Sequence, residues 1–346
     1  MRLSSEQNEL REIVRRFFSE KVSSEYLRRR ISGAVRRDDR FLTGLAELGL
    51  EEGFGGESPV FTLDDLALIA HECGYALVPE PVVEHLLCSA IIPRLMSDSE
   101  RAEYCGAFNA SVTGLAASSC CKLVLDPAMV TVSGAVAWAW GVEAAGRMVA
   151  FAETPAGRRA VVFLLGQAGA TCEPTSALDL TAALNRVAVQ SAKALVCSSE
   201  TTSAIEDALE TLKAAEAAGM CERVVGMTCD YMKTREQFGR PIGSFQAIQQ
   251  KLADLHAINE SLQSLSRFAA WAAIHAPSQR SLTSRAAVLH ACEAGPRVCE
   301  RAIQCHGGIG FTWEYDLHLY LRRAKTIQSA FALSEARAAE LLQRVA

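Results

Sequence analysis

Apolar residues recur at three- and four-residue spacing from Ser5 to about Phe18, from Asp38 to Leu50, from Leu63 to Gly74 and from Val83 to Leu95. That period puts them on one face of a helix, so residues 4–104 are predicted to be mostly helical. The glycines of EEGFGGES at 51–58 predict a loop within this stretch. From 106 to 197 the period changes. VTVSGAVAWAW, GRMVAFAE, RAVVFLL and NRVAVQ are short, rich in Val and Ala, and punctuated by Gly134, Gly141, Pro155-Ala156-Gly157 and Asn185. These are strands of a small β domain. Helical spacing returns from about Ser203 to Gln237, where Arg240-Pro241-Ile242-Gly243 breaks it. Further helices are predicted from Phe245 to His275, from Thr283 to Cys305 with Pro296 inside it, and from about Tyr315 onward. The division is then 1–105 helical, 106–197 β and 198–346 a helical bundle.

Composition narrows this little. A chain of 346 residues suffices for two or three such units. A net charge of −5 gives no reason to expect nucleic acid. No apolar run approaches the roughly 20 residues that span a bilayer, and the charged start is no secretory signal, so a cytoplasmic location is expected. Twelve cysteines include no Cys-x-x-Cys spacing, which predicts free, mostly buried thiols and no metal.

Two stretches carry chemistry. TREQFGRPIGSFQAI at 234–248 sets Arg235, Gln237 and Phe238 at a helix end, followed by a Gly/Pro break and Gln246. QCHGGIGFTWEYDLHLYLRRAK at 304–325 sets Gln304, His306, Gly307 and Gly308 at the next helix end. Arginine offers a planar charged fork to phosphate, and glycines let backbone approach a phosphate or a flat ring. Each has a plainer reading: a solvated arginine at a helix C-terminus, and a Gly-Gly helix cap. His306 reads as a packing or hydrogen-bonding residue. Trp138 and Trp140, two apart in a strand, share one face, where they serve as core or contact aromatics.

Taken together, in this order and spacing, the two motifs resemble the signature of the acyl-CoA dehydrogenases, FAD enzymes that desaturate an acyl thioester between its α and β carbons. The resemblance is strong over 216–255 and 300–325, and weak over 106–197. It implies a mostly α fold with a small β domain: a helical N-domain, a β-barrel-like middle and a C-terminal four-helix bundle. It implies FAD contact for Arg235, Gln237, Phe238, Gln246, Gln304, Gly307 and Gly308, much of it with the cofactor of a neighbouring subunit. Trp138 matches a tryptophan that leans on the flavin; Trp140 stands where the family has a small hydroxyl residue.

The family's catalytic glutamate has no counterpart. Its two known places fall on Leu209 and Phe331. Glu210, Glu216 and Glu335 lie nearby, each expected to be structural or solvent-facing. The chain therefore resembles the subunit type that lacks the base in α2β2 heterotetramers, many of them acting on bulky thioesters such as steroid side chains. Acyl-CoA, electron-transferring flavoprotein and a homologous dehydrogenase subunit are the implied partners. Two alternatives stay open: a self-sufficient homo-oligomer using Glu210 or Glu216, and a non-catalytic structural or regulatory subunit.

Overall fold

The protein is described by a computed structural model covering residues 3–331, apart from 35–37, 39, 51–52, 54–59, 109–112, 143–144, 167–168 and 176. Most of the 51–58 loop and Glu335 lie outside these residues.

The first third is helical. Helix α1 (Ser5–Lys21) starts on a capping box from Ser4 and Gln7 and buries Leu10, Val14 and Phe18, the apolar stripe of the sequence. Helix α2 (Ser24–Ile31), unmarked by the sequence pattern, follows directly and buries Tyr26, Leu27 and Arg30. Then come α3 (Arg40–Glu47) and α4 (Leu63–Ala76), the latter capped by Thr62 and Asp65. Almost every residue of α4 from Leu63 to Gly74 is buried, so this helix runs through the middle of the molecule. The stretch at 82–95 is α5 (Val82–Leu86), a π turn and α6 (Ile92–Leu95), where one continuous helix was expected. Helix α7 (Asp98–Cys105) closes the section.

Seven strands follow: β1 (Thr113–Leu115), β2 (Cys121–Asp126), β3 (Thr131–Trp140), β4 (Arg147–Glu153), β5 (Arg159–Leu164), β6 (Ala170–Pro174) and β7 (Leu184–Val196). The pairings β3–β2–β4–β5–β7 return to β3, which closes the sheet into a ring. Strand β4 is buried on both faces. Met148, Ala150 and Ala152 point into the barrel core, whereas Val149 and Phe151 join the core shared with the helices. Strands β1, β2 and β6 were not marked by the sequence pattern: in CKLVLD the run Leu123-Val124-Leu125 breaks the alternation, and β1 and β6 are too short to show a period.

The last part contains α8 (Ser199–Thr234), α9 (Gln246–His275), α10 (Arg280–His306) and α11 (Leu317–Phe331). Helix α8 ends three residues before the expected Gln237. Arg235 is its C-cap, and Glu236–Gln237 pair with Arg240–Pro241 in a two-stranded hairpin. Helix α11 starts at Leu317 rather than Tyr315, and α10 runs through Pro296 without interruption.

Helices α4 and α8 cross at two glycines. A Cβ on Gly74 would stand 1.9 Å from the Glu216 carbonyl oxygen, and one on Gly219 would stand 1.8 Å from that of His71. Bare Cα atoms therefore set this distance. Two ion-pair clusters involve residues of these helices, one around Lys213 and Glu216 and one around Glu72 and Glu222. The family expectation of a mostly helical protein with a small β-barrel and a C-terminal bundle is met.

Candidate functional site

The two motifs meet at one end of the bundle. The Tyr231 hydroxyl, one turn before Arg235, donates to the His306 carbonyl at 3.5 Å, just before Gly307. Their rings stack at 4.4 Å and 21°, and Tyr315 closes the other side of His306 at 5.1 Å. His306 Nδ1 donates to the Ala302 carbonyl at 2.8 Å, while Nε2 is buried with no partner. Burial lowers the proton affinity of this imidazole, so it stays neutral. His306 is thus the packed floor under the Gly-Gly turn.

Above that floor the candidate cofactor residues are all exposed: Arg235, Gln237, Phe238, Gln246, Gln304, Gly307 and Gly308. Gly307 has φ 64°, which favours glycine, and caps α10 by donating to the Ile303 carbonyl. At both Gly307 and Gly308 an added Cβ would meet nothing within 4 Å, so this backbone faces open space. Phe238 at φ 53° and Gly239 at φ 76° turn the hairpin, the backbone pattern of a two-residue I′ loop. A phenylalanine in that conformation costs about 1–3 kcal/mol. It leaves the ring 93% exposed, touching only Phe245 edge-on at 6.2 Å. Arg240 lies over the Phe245 ring at 4.1 Å. One strained exposed ring, one arginine and two bare glycines make a surface suited to a phosphate-bearing flat molecule and to a second chain.

Trp138 belongs elsewhere. It packs edge-on against Trp140 at 5.1 Å, and Trp140 stacks on Phe331 at 6.4 Å and 20°. Trp140 also faces the Lys213 ammonium at 4.4 Å. This aromatic group borders the interior positions where a base was sought. Leu209 and Phe331 are buried there. Glu210 is buried, with the Arg285 guanidinium 3.4 Å away. Glu216 is 3% exposed and accepts from Lys213 at 2.7 Å and Arg323 at 2.8 Å.

Lys213 reaches Glu84 as well, at 2.6 Å. Arg323 also pairs with Asp179 and donates to the Thr181 hydroxyl at 2.9 Å and the Val78 carbonyl at 3.3 Å. Burial by itself would push the Glu216 carboxyl up. The Lys213 and Arg323 charges overcome it and hold the group down at about 2. A carboxylate so held is a poor proton acceptor near neutrality. The space lined by Trp140, Glu84, Lys213, Glu216 and Arg323 amounts to about 20 Å³, room for about one water molecule.

Sequence reasoning missed Lys213, Arg323, Glu84 and Asp179. One signal was present: the run LETLKAAEAAGM places charges three apart on a helix with apolar residues all round it. Charges on such a helix are buried and must pair with each other.

The twelve cysteines are unbridged and most are buried; burial pushes the Cys120 thiol up to about 11. No cluster among the described residues could hold a metal, and no described helix is long and apolar enough to cross a membrane.

Comparison with known proteins agrees with this geometry. Residues 211–336 match the acyl-CoA dehydrogenase C-terminal domain. Acyl-CoA dehydrogenase IpdE2 of Mycobacterium tuberculosis is 33% identical over 283 residues, covering 81% of this chain and 77% of its own length. IpdE2 of Mycolicibacterium smegmatis is 31% identical over 331 residues, 93% of each chain. Among solved structures, the ChsE4-ChsE5 complex of Mycobacterium tuberculosis superposes with a TM-score of 0.85 at 21% identity, covering 99% of this chain and 97% of that one. The Tcur3481-Tcur3483 steroid ACAD gives 0.83 at 24% identity over 98% of both chains. The chain belongs to the acyl-CoA dehydrogenase family, oxidoreductases acting on a CH–CH bond.

Proposed function

We propose that this chain is the subunit of a heteromeric acyl-CoA dehydrogenase that completes an FAD site and leaves the catalytic base to its partner. One observation carries the reading. The interior around Trp140 and Glu216 is closed by ion pairs, with about 20 Å³ of space, whereas the residues suited to a cofactor lie on the surface. No acyl chain enters so small a volume.

The residues present suit FAD. Arg235 projects an exposed guanidinium and forms no ion pair with a described residue, and Gly307 and Gly308 offer unobstructed backbone. Arg235 would bind the pyrophosphate, Gln304 and Gly307-Gly308 would hold the adenosine side, and Phe238, Gln237 and Gln246 would contact the cofactor at the subunit boundary. FAD, when bound, accepts the hydride that leaves the acyl β-carbon. This chain's own residues bind and orient. The α-proton is taken by a glutamate of a homologous dehydrogenase subunit in an α2β2 assembly. Electron-transferring flavoprotein is the oxidant. One structural relative is a steroid ACAD, which supports a bulky steroid-CoA thioester as substrate.

The reading of Glu210 or Glu216 as base in a homo-oligomer is disfavoured by their buried pairing with Arg285, and with Lys213 and Arg323. The test is co-expression with a homologous chain that carries the glutamate. One flavin per pair of chains, and turnover only in the pair, is the expected result. A colourless, inactive pair with every acyl-CoA tried would favour a purely structural subunit.

A further inference from the structure

The second buried cluster, on the α1 side of the α4–α8 crossing, centres on His71, which is 7% exposed. Its Nδ1 lies 3.1 Å from Glu72 Oε1. Its Nε2 lies 3.1 Å from Gln263 Oε1 and 3.2 Å from Glu222 Oε2. The orientation of the Gln263 amide is fixed independently, because its Nε2 donates to the Ala218 carbonyl at 2.8 Å. Both ring nitrogens therefore face oxygens that can only accept. A neutral imidazole has one N–H and one lone pair, so one of these contacts would set lone pair against lone pair. Only the doubly protonated ring satisfies both.

The same two carboxylates anchor α1. Arg11 reaches Glu72 at 2.9 Å and Glu222 at 3.2 Å; Arg15 reaches Glu72 at 2.6 Å and Glu222 at 3.0 Å. The charged groups facing His71 are thus Arg11 and Arg15 from α1, Glu72 from α4 and Glu222 from α8, with the uncharged Gln263 from α9. The two arginines keep contact with solvent, at 24% and 35% exposure. The imidazole is more deeply buried and, with Gln263, joins α4, α8 and α9.

We propose that His71 is an imidazolium in the folded protein at neutral pH, and that its proton latches α1 onto the helical bundle and releases it when lost. Loss of the proton turns one donor contact into a repulsive one and leaves Glu72 and Glu222 splayed, which loosens the carboxylates that α1 grips. Helix α1 also walls a cavity of about 600 Å³ through Gln7, Leu10 and Arg11, with His71 and Trp271 on other walls. Release of α1 opens that cavity.

The titration has a definite sign. Burial lowers the proton affinity of His71, but the hydrogen bonds it donates to Glu222 and Glu72 more than offset this, so its pKa is raised above 6.5. A raised folded pKa gives stability that is complete below the unfolded value and is lost as pH climbs through the folded one.

The test uses the whole chain labelled with ¹⁵N-histidine; seven histidines give a tractable spectrum, and His71→Gln assigns the signal. Two protonated-type ring nitrogens for His71 at pH 7.5 are expected; a pyridine-type nitrogen at that pH overturns the proposal. Amide exchange, corrected for intrinsic rate, supplies the second readout. Protection of 5–21 should fall about tenfold or more between pH 7 and 9.5 while that of 280–306 holds. In His71→Gln this pH dependence should vanish; an unchanged dependence in the variant contradicts the latch. Should His71→Gln fail to fold, the wild-type spectrum, assigned from the remaining six single substitutions, decides alone.

Discussion

Gly219 lies so close to His71 that a Cβ on it would stand 1.8 Å from the His71 carbonyl oxygen. The atom in the way is backbone, so no rotamer change can yield; α4 and α8 must move apart. Gly219→Ala is therefore expected to destabilise, because overpacking of about 1–3 kcal/mol or more outweighs the gain in helix propensity of about 1 kcal/mol. Thermal unfolding checks this: a lower Tm is expected, and an unchanged or raised one contradicts the close crossing.

Lys213 sits between Glu84 and Glu216, all three almost fully buried. Lys213→Met leaves two carboxylates short of a partner and is expected to cost about 3–5 kcal/mol. Glu84→Gln together with Lys213→Met should recover part of that loss, since Glu216 keeps Arg323. Urea unfolding of both variants reads the difference.

The acid limb of stability follows from both ion-pair clusters. The Glu216 pKa is depressed from 4.5 to about 2 in the folded chain, and that of Glu222 likewise. Depressed carboxylates contribute stability that is present above the unfolded pKa and lost as pH falls through the folded one. Stability should decline from about pH 4.5 toward 2. Glu216→Gln should start lower and decline less steeply over that window. Equal slopes in variant and parent would mean that Glu216 is not held by its cations.

What the sequence displayed was periodicity, and periodicity located most of the helices and the strands β3, β4, β5 and β7. It failed where a residue acted against its type. Helix α8 was drawn through to Gln237 because the first break in the pattern is Arg240-Pro241-Ile242-Gly243; Phe238 already holds φ 53°, a conformation usually left to glycine or asparagine. Lys213 went unread, and Glu216 was expected to be structural or solvent-facing. Only their partners Glu84 and Arg323, distant in sequence, show that the pair is interior. The cofactor motifs were legible because they are local in sequence. The closed interior was not, because it is assembled from five segments.

Arg235 is exposed and caps a helix only through its backbone. Arg235→Ala should leave Tm nearly unchanged and weaken FAD retention in the assembled enzyme. A charge-assisted hydrogen bond contributes roughly 1.5–3 kcal/mol, about tenfold or more in affinity. Flavin titration that gives the same affinity for variant and parent would remove Arg235 from the site.

The account turns on whether this chain can desaturate an acyl-CoA alone. General-base catalysis contributes roughly 10²–10⁴-fold, and neither Leu209 nor Phe331 can accept a proton. The direct measurement is steady-state dehydrogenation with an artificial electron acceptor and excess FAD, for the purified chain and for its co-expressed pair. The account predicts turnover in the pair, little changed by Glu210→Gln in this chain, and none for the chain alone. Turnover by the chain alone that is abolished by Glu210→Gln or Glu216→Gln would contradict it.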